Sequence, residues 1–273
     1  MGLLNTLTFD GRQLSEFGAF ISGSGVFNSP ARIGEMVHIP GRNGSIWMDE
    51  GGFENIEITY PAFIGTQDAE EFRTKLRNLR TWLNSRNGYC RLEDTYHPDE
   101  YRTAVFRNAI ETDPKVYNRA GSFEIKFDSK PQRWLKIGDE PVTFTENGTI
   151  TNPTMFESKP VIAVTGNGKI NIGGNLITVS DTTQTIYIDS ELMDAFIPAG
   201  VKVDLTDEED ETITDELLIP IEVYKGGPKE PISMNSHVSF SDYEFPTIPP
   251  GENIVAFTSG IESVVIYPRW WYL

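Results

Sequence analysis

The chain is poor in the residues that carry most catalytic and metal chemistry. It has one cysteine, Cys90, and three histidines, His38, His97 and His237, in 273 residues. A single thiol forms no internal disulfide and builds no cysteine-rich zinc site, so folding in a reducing cytoplasm is expected. No segment approaches the ~18 consecutive apolar residues of a membrane-spanning helix, so no membrane insertion is expected. Met1 to Asp10 lacks a basic stretch ahead of an apolar core, so no secretory signal is expected. Glycine and proline, at 24 and 17, recur without a period, which excludes a collagen-like rod. Basic residues are also scarce: 23 Lys and Arg stand against 40 Asp and Glu, a net charge of −17. That balance argues against a general nucleic-acid binder, which needs a basic surface to displace counterions.

What is present supports a folded core. Hydrophobic residues make up 38% of the chain and aromatics 11%, too many for wholesale disorder. Charge is unevenly placed. Residues 1–135 hold 16 basic and 18 acidic side chains, net −2, whereas residues 136–273 hold 7 and 22, net −15. The basic residues change type as well, from 12 Arg with 4 Lys to 1 Arg with 6 Lys. A shift this sharp predicts two units with different surfaces. It falls in Lys130-Pro131-Gln132-Arg133-Trp134-Leu135-Lys136-Ile137-Gly138-Asp139-Glu140-Pro141, which reads as a packed connection. The expected boundary lies near residue 138, dividing 1–138 from 139–273.

The first half reads as strands around one helix. Leu3 to Phe9 is apolar-rich and ends at the hairpin-turn dipeptide Asp10-Gly11. Phe17 to Ile21, Glu35 to Ile39 and Phe53 to Tyr60 are further strands, the last stopped by Pro61. Pro40-Gly41-Arg42-Asn43-Gly44 is a turn. Phe72, Leu76, Leu79 and Leu83 form one apolar stripe, which predicts a helix over Asp68 to Arg86. Asp68 and Glu71 have capping-box spacing, and Asn87-Gly88 marks the stop. Tyr89 to Leu92, Arg102 to Ile110 and Ser122 to Phe127 read as strands.

The second half reads as all-β. Short apolar runs recur at Val161 to Val164, Ile170 to Ile172, Leu176 to Val179, Thr185 to Ile188, Leu217 to Val223, Val238 to Phe240, Asn253 to Phe257 and Ser263 to Tyr267. Gly166-Asn167-Gly168 and Gly173-Gly174-Asn175 separate some of them. This spacing predicts a two-sheet β-sandwich. Asp204 to Glu216 interrupts the rhythm. Its carboxylates offer oxygen ligands for calcium, but the fixed alternation and turn glycine of an EF-hand are missing, and a solvated loop is the favoured reading.

A search for chemistry returns little. No His pair stands at i and i+4, and no H-E-x-x-H or G-x-S-x-G occurs. A Ser-His-Asp set needs only to meet in space, so the sequence leaves that question to geometry. Gly23-Ser24-Gly25 and Gly166-Asn167-Gly168-Lys169 fit no phosphate-loop pattern and open no helix, so they read as turns. The terminus Pro268-Arg269-Trp270-Trp271-Tyr272-Leu273 reads first as a last strand docking its rings, then as an oligomer contact, then as a sugar platform. No catalytic residue, metal site or cofactor is expected.

Read in order, the motifs resemble a known family. Leu7-Thr8-Phe9-Asp10-Gly11, Ile39-Pro40-Gly41-Arg42-Asn43-Gly44-Ser45, Ile56-Glu57-Ile58-Thr59-Tyr60 and Leu76-Arg77-Asn78-Leu79-Arg80-Thr81-Trp82-Leu83 are similar to the distal tail protein (Dit) family of siphovirus phages infecting Gram-positive bacteria. Asn152-Pro153-Thr154, Lys159-Pro160-Val161-Ile162, Pro249-Pro250-Gly251-Glu252-Asn253 and Ile266-Tyr267-Pro268-Arg269-Trp270-Trp271 extend the resemblance over nearly the whole chain. It implies a mainly β fold: an N-terminal β-barrel-like domain with one α-helix that forms a ring, and a C-terminal galectin-like β-sandwich outside it. It implies a homohexamer at the distal end of the tail, with the tail tube protein, the tail hub protein and a receptor-binding protein as partners. It carries over no catalytic residue. The other reading is a carbohydrate-binding module that uses the C-terminal sandwich.

The residues add an expectation of their own. Arginine-rich surfaces suit fixed contacts, because guanidinium groups make bidentate pairs at interfaces. Ile46, Trp47 and Met48 stand in a glycine-flanked segment, where apolar side chains are left exposed unless something covers them. The hairpin Pro40 to Gly52, with Arg42, Ile46, Trp47 and Met48, is therefore the expected oligomer interface; closure of the barrel by the same residues is the alternative.

Overall fold

The computed structural model describes residues 4–23, 25–115, 119–198, 231–241 and 244–273. The acidic segment Asp204 to Glu216 and the strand reading at Leu217 to Val223 lie outside these residues. The chain divides into two compact units, Met1–Arg133 with Leu273, and Trp134–Tyr272.

The strands of the first unit are β1 (Leu7–Phe9), β2 (Arg12–Gln13), β3 (Ala19–Ile21), β4 (Arg32–His38), β5 (Ser45–Phe53), β6 (Ile56–Gly65), β7 (Cys90–Asp94), β8 (Glu100–Phe106), β9 (Asp113–Lys115) and β10 (Ala120–Leu135). One open, barrel-like sheet runs β2-β1-β7-β8-β10-β6-β3, with β9 laid against β10; β4 and β5 pair only with each other. Asp10-Gly11 makes the first hairpin as expected, with both residues at positive φ, 51° and 74°.

Strand periodicity of two sets the inner face. Along β6, Ile56, Ile58, Tyr60, Ala62 and Ile64 are buried while Glu57, Pro61, Phe63 and Gly65 point out. Phe123, Ile125 and Phe127 of β10 join them in the core, in register from Ile56↔Ser129 to Gly65↔Ala120. The strand does not stop at Pro61. The Pro61 carbonyl accepts from the Ser22 N–H at 2.8 Å, and both backbone groups of a residue in an antiparallel ladder face the same side. The missing N–H therefore lies on the side where β3 has already ended, and the ladder with β10 is intact.

The helix α1 (Ala69–Asn84) covers the core with Phe72, Leu76, Leu79, Trp82 and Leu83. Asp68 Oδ1 accepts from the Glu70 and Glu71 N–H groups at 2.9 and 2.8 Å. Glu71 Oε2 accepts from the Gln67 N–H, one residue before the capping-box position. The helix ends at Asn84 because Ser85 caps it, its Oγ donating to the Trp82 carbonyl at 2.7 Å; Asn87-Gly88 comes after the stop. Trp82 stacks on Phe17 at 4.8 Å; Phe17 closes a 3-10 turn over Leu14–Phe17, so the strand expected over Phe17 to Ile21 begins at Ala19.

The second unit holds β11 (Val142–Phe144), β12 (Gly148–Asn152), β13 (Val161–Gly166), β14 (Gly168–Ile172), β15 (Asn175–Val179), β16 (Ile186–Asp189), β17 (Asp194–Ile197), β18 (Ile232–Ser233), β19 (Val238–Phe240), β20 (Gly251–Phe257), β21 (Ile261–Tyr267) and β22 (Trp271–Tyr272). Strands β11 to β21 form two sheets, β11-β21-β13-β16-β17-β18 and β12-β20-β14-β15-β19. Ile162, Val164, Ile188, Val264 and Ile266 from one, and Ile150, Ile170, Ile172, Ile177 and Val255 from the other, share one core. That arrangement is a β-sandwich. Gly166, at φ 103°, turns the chain from one sheet to the other; a Cβ there would lie 2.4 Å from the Gly260 carbonyl oxygen. The connection read at Lys130 to Pro141 is strand as far as Leu135 and a 3-10 turn over Lys136–Gly138.

Candidate functional site

The segment that stands apart is the β4–β5 arm. Its register pairs Val37↔Ile46, Met36↔Trp47 and Glu35↔Met48. Directly opposite residues share a face, so Met36 and Trp47 lie on one side and Val37, Ile46 and Met48 on the other. Met36, Ile46, Trp47 and Met48 are exposed by 67, 41, 41 and 57%. A strand pair that covers a core keeps one polar face; this one exposes apolar side chains on both. The Trp47 ring crosses Gly34, where a Cβ would sit 2.4 Å from Cζ2, so only glycine fits beneath it.

Local chemistry shapes the arm. A bulge lies opposite Ile33 and Gly34, with Gly51 at φ 79° and its N–H donating to Asp49 Oδ1 at 3.0 Å. Arg32 Nη1 bonds Asp49 Oδ2 at 3.0 Å across the ribbon. At the tip, Gly41 and Gly44 take φ 81° and 78°, and the Arg42 N–H donates to the Ile39 carbonyl at 3.2 Å. Arg42 is exposed there. The four residues expected at an interface are thus on one element, with Ile46, Trp47 and Met48 in β5 and Arg42 in the turn. They do not close the barrel, because the arm is a sheet of its own. The partners Met36 and Val37 on β4 escaped the sequence reading. The signal was an apolar pair on each side of one Pro-Gly turn.

Polar contacts, one of them buried, hold the arm's root. Arg133 Nη2 donates to the Val26 carbonyl at 3.0 Å, and Tyr96 Oη donates to the Gly23 carbonyl at 3.0 Å. Asn28 Nδ2 donates to the Glu57 carbonyl at 3.2 Å. The His97 ring meets Phe27 edge-on at 5.3 Å and sets Nδ1 3.1 Å from Asp94 Oδ1. Asp94 Oδ2 accepts from the Tyr60 phenol at 2.7 Å. Burial, then the Asp94 charge, pushes the Tyr60 phenol well above its usual range. Burial, then the neighbouring Arg133 charge, pulls the Arg102 guanidinium below its own.

The geometry assembles no catalytic set among the described residues. His38 lies on the arm, His97 faces Asp94, and His237 Nδ1 is 3.1 Å from the Ser180 carbonyl oxygen. No group of three or more His, Cys, Asp and Glu able to hold a metal occurs among the described residues. The terminal aromatics dock inward: Trp270 is in the sandwich core, and Trp271 stacks on Phe156 at 4.4 Å while its Nε1–H donates to the Glu157 carbonyl. No described Trp, Tyr or Phe of the second unit is fully exposed.

Comparison with known proteins places this architecture. No curated protein matches the chain. The Dit protein (gp 19.1) of SPP1, described as a paradigm of the hub adsorption apparatus in phages infecting Gram-positive bacteria, is similar in structure at a TM-score of 0.67. The identity is 10%, and the match covers 99% of this chain and 100% of that one. A chain of the phage P2 baseplate, in its activated conformation with calcium, is similar at a TM-score of 0.50 and 9% identity, over 97% of each chain. Residues 13–129 match the family of the phage tail protein RIFT-related domain. They span the strand–helix–strand body of the first unit together with the arm, and the chain as a whole has a Dit-like fold.

Proposed function

We propose that the chain is a virion structural protein that forms a hexameric ring at the distal end of a phage tail. The ring joins the tail tube to the tail hub and the adsorption apparatus, and it turns over no substrate. The observation that carries this reading is the arm, whose two faces both expose apolar side chains. Apolar side chains exposed together on a ribbon mark a surface that another molecule covers. A head-to-tail ring supplies that cover, because each copy presents its arm to one neighbour and a different surface to the arm of the other. The likeness to the SPP1 hub protein supports the placement at the tail tip. The second unit, with most of the chain's negative charge, suits an outward surface kept soluble by self-repulsion and open to baseplate or receptor-binding parts.

Electron microscopy of the purified chain tests this directly. Closed rings with sixfold averages are expected, alone or with the tail tube or hub protein present. Uniform single particles under all those conditions would overturn the reading.

A further inference from the structure

We propose that a groove on the outer face of β6 and β10 receives the arm tip of a second copy of this chain, an inference that rests on the ring reading above. The groove encloses ≈ 750 Å³ and is lined by Glu57, Phe63, Glu111, Glu124 and Lys126 among others. Three carboxylates there face one ammonium. Lys126 Nζ is already engaged, 3.5 Å from Glu124 Oε2 and 3.9 Å from Glu57 Oε1. Glu111 is exposed and has no ion pair among the described residues. The groove is therefore acidic, with one exposed ring, Phe63, at 37%.

The arm tip is the complement. Its six connecting residues, Ile39 to Gly44, carry a single charge, Arg42, which is exposed and has no ion pair among the described residues. Ile39 and Ile46, exposed by 37 and 41%, flank it. A guanidinium with apolar shoulders matches carboxylates set beside a phenylalanine. No arm residue lines the groove of its own copy. The groove begins at Glu57, whose carbonyl holds Asn28 at the arm's root. An arm of seven to nine paired residues reaches about 20–30 Å from that root. Donor and acceptor surfaces are thus distinct and one arm's length apart, as a head-to-tail ring requires.

Light scattering on charge-reversed chains tests the pairing. Arg42→Glu, and separately the pair Glu111→Arg with Glu124→Arg, should each shift the mass from ring to single chains. Combining all three changes should restore the ring. Unchanged rings in either reversal would overturn the docking and leave the ring reading standing, as would a failure of the combination to restore. Wild-type chains that stay single, alone and with tail partners, would remove the ring reading and the docking together. Asn43→Cys with Glu111→Cys, in a Cys90→Ser background, gives an independent readout. An oxidised ladder of linked chains is expected, and rings that yield no ladder would overturn the docking.

Discussion

At the scale of single residues, the strongest device is the pair Arg269–Asp189. Arg269 Nη1 and Nη2 donate to Asp189 Oδ1 and Oδ2, both at 2.8 Å, and the Asp189 side chain is fully buried. Oδ1 also accepts from the N–H groups of Glu191 and Leu192, so the carboxylate orders the turn after β16. Arg269 holds φ 53° to reach it, a conformation that L residues adopt with strain. Arg269→Ala leaves that carboxylate buried and unpaired, and should cost the second unit about 3–5 kcal/mol in urea unfolding. Tyr60 sets a pH dependence. Its pKa in the folded chain is raised, so the unfolded chain ionises first as pH climbs through the ordinary tyrosine value of about 10. The stability contributed by the neutral phenol is fully present below that value and is lost above it. Unfolding free energies measured from neutral to alkaline pH should fall more steeply for the wild type than for Tyr60→Phe. At neutral pH the variant should be less stable by about 1–2 kcal/mol, because Asp94 Oδ2 loses its donor.

At the scale of elements, helix α1 and the arm behave oppositely. The helix is bound to its core by a stripe of buried side chains and by one cap. Asp68→Ala frees the Glu70 and Glu71 N–H groups and should lower stability by about 1 kcal/mol, read by thermal or chemical unfolding. The arm contributes nothing to that core. Replacing residues 33–52 by a short turn should leave the melting temperature nearly unchanged and abolish assembly, as size-exclusion chromatography would show. The helix was legible because its stripe repeats at the helical period, and the arm's turn because Gly41 and Gly44 must take positive φ. The run of β6 through Pro61 was not legible, because it depends on where β3 ends. The strand over Lys130 to Leu135 was hidden for a similar reason: a proline reads as a break, while Arg133 is drawn inward by Val26 and Glu100 across the fold. Of the candidate site, the sequence marked one strand of the arm; its partner needed the register.

At the scale of the whole molecule, the uneven charge acquires a meaning. The near-neutral, arginine-rich half holds the arm and the groove, while the acidic half folds into a sandwich that offers no exposed ring among its described residues. Assembly of copies of this chain through the arm is open to native mass spectrometry of wild type beside Trp47→Ser. An assembly of six 30.7 kDa chains is expected for the wild type, and single chains with an unchanged melting temperature for the variant. A variant that keeps the full assembly and merely unfolds at lower temperature would contradict it.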